Sequence, residues 1–299
     1  MADLSRPAAP GATAQGFGFL LATSLIWGMN WPVVKFLLTE LPPFAVRATS
    51  GVIGTAIVLL IALSQREALA PPRGQWGRLC LAAGLNVAAW MGLTTLSLLW
   101  LRASETTILA YTLPIWTSIL AWPLLGERPN AGRLLGLVFG VGGIILLMAH
   151  GSGADIGSRL VGAIPVLGAS ILFAFGTIMA KRAPVAMPPT ALVAWQLGLG
   201  TLPLILLSLV LEQPDFGGLD HFSWLGVAYS GALAFGLAYV TWFAALRRLP
   251  ASVATIGSLL APVAGVLASV LMLGDPLGVR EIGALALTLC GVALAAFSK

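Results

Sequence analysis

Charge is scarce in this chain, and where it falls matters more than how much there is. Only 9% of the 299 residues are charged, and no Asp, Glu, Lys, Arg or His stands near the middle of an apolar run. The ionisable residues of the runs sit at their edges: Lys35, Arg47, Arg78, Glu105, Lys181, Arg280 and Glu281. Intramembrane carboxylates ordinarily mark proton relays, so no evident proton-coupling residue is present; Glu105, at a run's edge, is the remaining candidate. Both histidines, His150 and His221, fall in loops. A buried Ser–His pair is therefore missing, and the scattered Asp and Glu form no acidic metal cluster, which argues against an intramembrane enzyme. The two cysteines, Cys80 and Cys290, lie in separate runs without metal-ligand spacing, so no disulfide and no metal is expected. Nothing calls for a cofactor.

Apolar length is what the chain has instead. With 58% hydrophobic residues it is too greasy for a soluble domain of this size. About 20 mostly apolar residues cross the hydrocarbon core as a helix. Ten such stretches are legible: 16–35, 43–63, 78–99, 105–125, 131–149, 160–181, 189–211, 224–246, 251–273 and 281–297. Little remains between them, so function must reside inside the bilayer. Residues 1–15 are short, polar and rich in Pro, Ala and Gly, and read as a disordered lead-in with the first span retained.

The net charge of +5 does not point to nucleic acid, because its distribution follows the membrane. With the N-terminus inside, eleven basic residues face the cytoplasm and five face outward; eight of the eleven acidic residues face outward. That asymmetry is the positive-inside signature and puts both termini in the cytoplasm, as in a bacterial inner membrane.

The sequence also repeats itself. Shifted by 148 residues, Trp76 meets Trp224, Gly28 meets Gly176, Trp27 meets Phe175, Pro114 meets Pro262, and "LLGE" (124–127) meets "MLGD" (272–275). Each half holds five spans, and five is odd, so the second half starts on the opposite face of the membrane. The expectation is an all-α membrane protein of ten transmembrane helices in two inverted five-helix repeats, 16–149 and 160–299, joined by a linker over 150–159. Inverted repeats are typical of secondary transporters, with the solute site near the midplane at the repeat interface.

Several stretches are candidates for that site. In "SLIWGMNWPVVKFLL" (24–38), Pro32 offers no N–H to the carbonyl of Gly28, itself a poor helix former, so a helix break is expected there. Thr23, Trp27, Asn30 and Trp31 fall on about one helical face beside it; simple packing with one interhelical bond is the alternative. Asn86 and Trp90 form a second amide–indole stripe with Thr94. Tyr111 precedes Pro114, which frees the carbonyl of Ala110 to receive an ammonium group; Pro262 does the same for Ser258. Phe175 and Gly176 echo Trp27 and Gly28, and Tyr239 shares a face with Phe235 and Trp242. Gly28, Pro32, Pro114, Gly176 and Pro262 are the candidate hinges. Gly132, Gly136, Gly140 and Gly143 allow close helix approach; packing within a monomer is the first reading, a homodimer through this stripe the second.

The runs "LIWGMNWPVVK" and "LGERPNAGRLLGLVFGVGGI", with an aromatic–Gly pair in each half's first helix and Gly–Glu/Asp after its fourth, resemble the drug/metabolite transporter superfamily. The halves look like two EamA domains, and within the superfamily the chain resembles the aromatic-amino-acid exporters. The resemblance implies a central cavity lined by helices 1, 3, 4, 6, 8 and 9, with helices 5 and 10 peripheral. An uncharged cavity would leave a net ion uncompensated at several kcal/mol. A zwitterionic or neutral apolar solute fits better, its ring lying on Trp and Tyr faces. The expectation is an exporter of aromatic and other apolar amino acids working by alternating access; broad drug or metabolite efflux is the alternative.

Overall fold

Backbone polar groups in lipid must be satisfied within the chain, which restricts spanning segments to helices and closed barrels. The computed structural model describes residues 10–127, 130–148, 153–249 and 257–297, and among these there are helices and no strands. In chain order the helices are α1 (Pro10–Leu37), α2 (Pro43–Ser64), α3 (Trp76–Ser97), α4 (Ala103–Leu125) and α5 (Ala131–Met148). The second half supplies α6 (Gly153–Arg182), α7 (Pro189–Leu211), α8 (His221–Leu246), α9 (Leu260–Leu273) and α10 (Val279–Phe297). From α1 to α8 each is long and apolar enough to cross a membrane; α9 is a shorter apolar helix. Their outward faces carry Leu60, Val138, Ile164, Val210 and Leu271, all more than 60% exposed. Apolar side chains turned outward in such number fit lipid, not water.

Three expectations about local structure change. Helix α1 starts at Pro10, inside the segment read as disordered, and α6 starts at Gly153, inside the stretch read as a linker. The start of the ninth span at residue 251 lies outside the described residues. Neither α1 nor α6 breaks at its glycine: both run through, with Pro32 inside α1 and Pro165 inside α6. The glycines serve contact instead. A β-carbon on Gly28 would come within 2.7 Å of the Ala261 carbonyl and the Ala264 side chain of α9. One on Gly176 would collide with the Asn86 amide of α3.

The interruptions occur elsewhere, in matching places. Helix α4 is broken at Tyr111–Thr112, ahead of Pro114, and α9 is preceded by a turn at Leu259, ahead of Pro262. Both then end on left-handed glycines, Gly126 (φ 74°) and Gly274 (φ 70°), which are 148 residues apart and accept this conformation without a Cβ penalty. Helices α3 and α8 each contain a π-helical stretch, Gly84–Ala89 and Tyr229–Leu237. Such turns free backbone groups and recur at functional sites.

The halves interlock through equivalent helices. Glu212, just after α7, accepts the N–H groups of Phe44 and Ala45 at the start of α2, both at 2.8 Å. Glu67, just after α2, accepts the N–H of Ala191 at the start of α7 at 2.7 Å. Carboxylates at exposed helix N-termini satisfy unpaired donors and oppose the dipole; here they pin α2 and α7 antiparallel. Helices α5 and α10 pair the same way: Gly143 lies on Ala284 and Thr288, while Gly291 lies on Gly136 and Gly140. The glycine stripe of α5 is thus consumed inside the chain. Around these pairs α1 packs on α8 and α9, and α6 packs on α3 and α4.

Packing is concentrated at one end. A large core joins Val34 and Leu37 of α1, Val46 of α2, Leu98 and Leu101 after α3, Ile108 of α4, Val166 of α6 and Val266 of α9. All eight residues of Ala103–Ala110 are buried, whereas beyond the break only Ile115 and Ala121 are. Polar bonds between the halves add to this end. Asp275 accepts from the Ser104 N–H and hydroxyl at 2.9 and 2.7 Å, and Arg159 pairs with Glu105 at 2.5 Å. Lys35 closes the end of α3 by donating to the carbonyls of Leu98 and Leu101. At the other end the ties between halves are the exposed ion pair of Lys181 with Glu127 at 2.7 Å and bonds such as that from the Trp195 indole N–H to the Leu69 carbonyl at 2.7 Å.

Candidate functional site

Beneath the packed end lies a cavity of about 210 Å³, reached by residues of both halves. Helix α1 contributes Trp27, Asn30 and Trp31, α3 contributes Asn86 and Trp90, and α4 contributes Tyr111 beside its break. The second half contributes Phe173 from α6, Leu197 from α7, and Ala234, Phe235 and Tyr239 from α8. The cavity is small against drug pockets of about 300–1,000 Å³, and suits a compact metabolite.

Seven of its sixteen wall residues are aromatic, and several of these rings meet edge to face. Trp31 meets Trp90 at 6.4 Å and Tyr111 at 6.5 Å between centroids, and Trp90 meets Phe173 at 5.1 Å. On the other side Trp27 meets Tyr239 edge to face at 5.8 Å and, behind the wall, Trp242 at a tilt of 45° and 5.8 Å. Edge-to-face pairs contribute roughly 0.5–1.5 kcal/mol each beyond area burial and fix ring orientation. The π-helical stretch of α8 has a further use: its Ala234 carbonyl accepts the Trp27 indole N–H at 3.1 Å. Nothing in the sequence marks that bond, because no residue type announces a π-helical turn.

Seven of the ten candidate binding residues therefore line one cavity: Trp27, Asn30, Trp31, Asn86, Trp90, Tyr111 and Tyr239. Three do not. Thr23 is buried one turn away, bonded to Thr241 at 2.7 Å. Ser258 lies ahead of the turn that leads into α9, off the wall. Phe175 is half-buried and off the wall, and Phe173 stands there instead. Two residues are about 200° apart on a helix, so the wall of α6 is not the face that the repeat with Trp27 suggested. The carbonyl of Ala110, whose residue lines the cavity, already has a partner within the chain. The Ser170 hydroxyl donates to it at 3.1 Å.

The largest departure concerns charge. Arg47, one turn into α2, is 4% exposed and lines the cavity, so the expectation of a wall without fixed charge is wrong. Its backbone sits near the span's edge, but the long side chain runs inward to α3, where Nε donates to the Thr95 hydroxyl. Glu105, the candidate for proton coupling, is instead spent on Arg159 and on the Arg102 N–H at the packed end. Both cysteines are free and exposed at the surface of the bundle.

Comparison with known proteins fits this architecture. The profile of the EamA-like transporter family matches residues 14–149 and again 160–297. The chain belongs to the EamA-like transporter family. It is a multi-pass membrane transporter of the drug/metabolite transporter superfamily. The uncharacterized transporter YoaV of Bacillus subtilis (strain 168) is 24% identical over 279 residues, 93% of this chain and 96% of that one. The uncharacterized transporter YwfM of the same organism is 28% identical, over 92% and 91%. A protein of known crystal structure, 22% identical, superposes with a TM-score of 0.66 over 95% of this chain and 96% of its own, and shares the fold.

Proposed function

We propose that this EamA transporter is a monomeric carrier of the bacterial inner membrane that exports aromatic and other apolar amino acids by alternating access. The observation that carries the reading is the ring-walled cavity between the halves, with the larger buried core packed over one end of it. In this reading all ten helices span the membrane as two inverted repeats. The antiparallel pairing of α2 with α7 and of α5 with α10 supports it, because equivalent elements packed reciprocally signify a twofold relation. The charge asymmetry of the loops puts both termini in the cytoplasm. On that orientation the packed end faces the periplasm, and the conformation is read as inward-facing. Tilting one half against the other would open the packed end and close the opposite one.

Purified protein in liposomes tests this with tryptophan, phenylalanine, methionine, leucine and an organic cation, with and without a pH gradient. Selective uptake of the amino acids without need of the gradient is the expected result. Uptake of the cation alone would replace this reading with broad drug efflux.

A further inference from the structure

Arg47 presents an imbalance that the packing does not resolve. A cation 4% exposed costs several kcal/mol unless a counter-charge or a full set of acceptors meets it. The ion pairs among the described residues are Glu105–Arg159, Glu127–Arg133 and Glu127–Lys181, and none involves Arg47. Among the described residues its side-chain hydrogen bond is the single one from Nε to Thr95, whose hydroxyl in turn donates to the Met91 carbonyl at 2.7 Å. A guanidinium has five N–H donors in a planar fork. Four are left, on a side chain that forms part of the cavity wall.

Two further wall residues show the complementary deficit. Among the described residues the amide oxygens of Asn30 and Asn86 are both buried without a hydrogen-bond partner. An orphaned buried acceptor costs about as much as a lost hydrogen bond, so it too awaits a donor. One cavity thus holds an unmatched cationic fork, two unmatched acceptors and a set of aromatic faces.

We propose that Arg47 binds the carboxylate of the transported solute, with the amide oxygens of Asn30 and Asn86 as the acceptors for its ammonium group. This rests on the function proposed above and narrows it. The solute must carry a carboxylate, and the guanidinium holds it through two parallel N–H bonds, an arrangement that fixes orientation as well as charge. Thr95 holds the fork from behind through Nε, leaving the two terminal nitrogens for the solute. Amines that lack the carboxylate would bring a second positive charge beside Arg47 and be rejected.

The test compares tryptophan, indole-3-propionate and tryptamine as competitors of labelled tryptophan on purified wild-type and R47Q protein. On the wild type both carboxylates should compete, and tryptamine should be weaker than tryptophan by about tenfold or more, the worth of a charge-assisted hydrogen bond. In R47Q that preference should disappear, with tryptamine competing as well as tryptophan. Should R47Q fail to fold, the wild-type comparison decides the matter. Equal competition by tryptamine on the wild type, or a preference retained in folded R47Q, would overturn the carboxylate assignment and leave amino-acid transport standing. If neither carboxylate binds the wild type, both readings fall.

Discussion

Asn86 and Gly176 share one space. The Asn86 amide oxygen lies where a β-carbon on residue 176 would stand, so the bare backbone of α6 is what lets this amide sit in the cavity wall. Gly176→Ala should push Asn86 off its position and cost about 1–3 kcal/mol by overpacking, with loss of transport. Gly142→Ala, where a β-carbon meets nothing within 4 Å, is the control and should keep wild-type uptake. Thermal unfolding and uptake measured on both variants check the pair.

Trp27 is held at two points, by its ring contacts and by the indole bond to Ala234. Trp27→Phe keeps a ring and drops the bond, so about 1 kcal/mol of stability should go while measurable transport remains. Trp27→Ala and Asn30→Ala should abolish most uptake yet give folded protein in normal yield. Wild-type rates in both would remove α1 from the site.

The bonds from Ser104 to Asp275 tie the two halves at the packed end. A carrier must break them in every cycle. Asp275→Asn and Ser104→Ala weaken the tie and should shift the population toward the outward-facing state, read as increased labelling of cavity positions from the outer face. The effect on the population ratio should be about tenfold or more, in line with hydrogen bonds to charged groups worth about 1.5–3 kcal/mol. Unchanged labelling would mean the tie does not hold the state.

At the opposite end, the Lys181 ammonium bonded to Glu127 holds that carboxyl below the usual carboxylate range. A depressed carboxyl stabilises the fold above its unfolded pKa, about 4.3, and loses that contribution as pH falls through the folded value. Because the pair is exposed, Lys181→Met should change stability by less than about 1 kcal/mol at neutral pH. The difference from wild type should vanish in acid, which denaturation at pH 7 and pH 3 would record.

Much of this was legible in the sequence because the duplicated signals are chemically strict. Proline at 114 and 262 and left-handed glycine at 126 and 274 leave the chain few alternatives. Stripes at helical spacing brought Trp27, Asn30, Trp31, Asn86 and Trp90 to one cavity. What escaped depends on how helices meet. Gly28 and Gly176 look like weak points, but weakness and clearance read alike until the facing surface is known; the paired small residues Ala261, Ala264 and Gly265 were the available hint. Phe173 replaced Phe175 because the repeat fixes which helices correspond, not how far each is rotated. Arg47 was misplaced for a third reason: its backbone lies at a span's edge, and a side chain that long decides its own depth.

The central claim is that one cavity, shut at one end in this structure, opens to each side of the membrane in turn. Leu113, on the cavity wall, can report it after Cys80→Ser and Cys290→Ser remove the native thiols. In oriented vesicles carrying Leu113→Cys, an impermeant thiol reagent should label from the cytoplasmic face at rest, and from the periplasmic face once solute turns over. Labelling from both faces at rest, or from one face whatever the solute, would contradict alternating access.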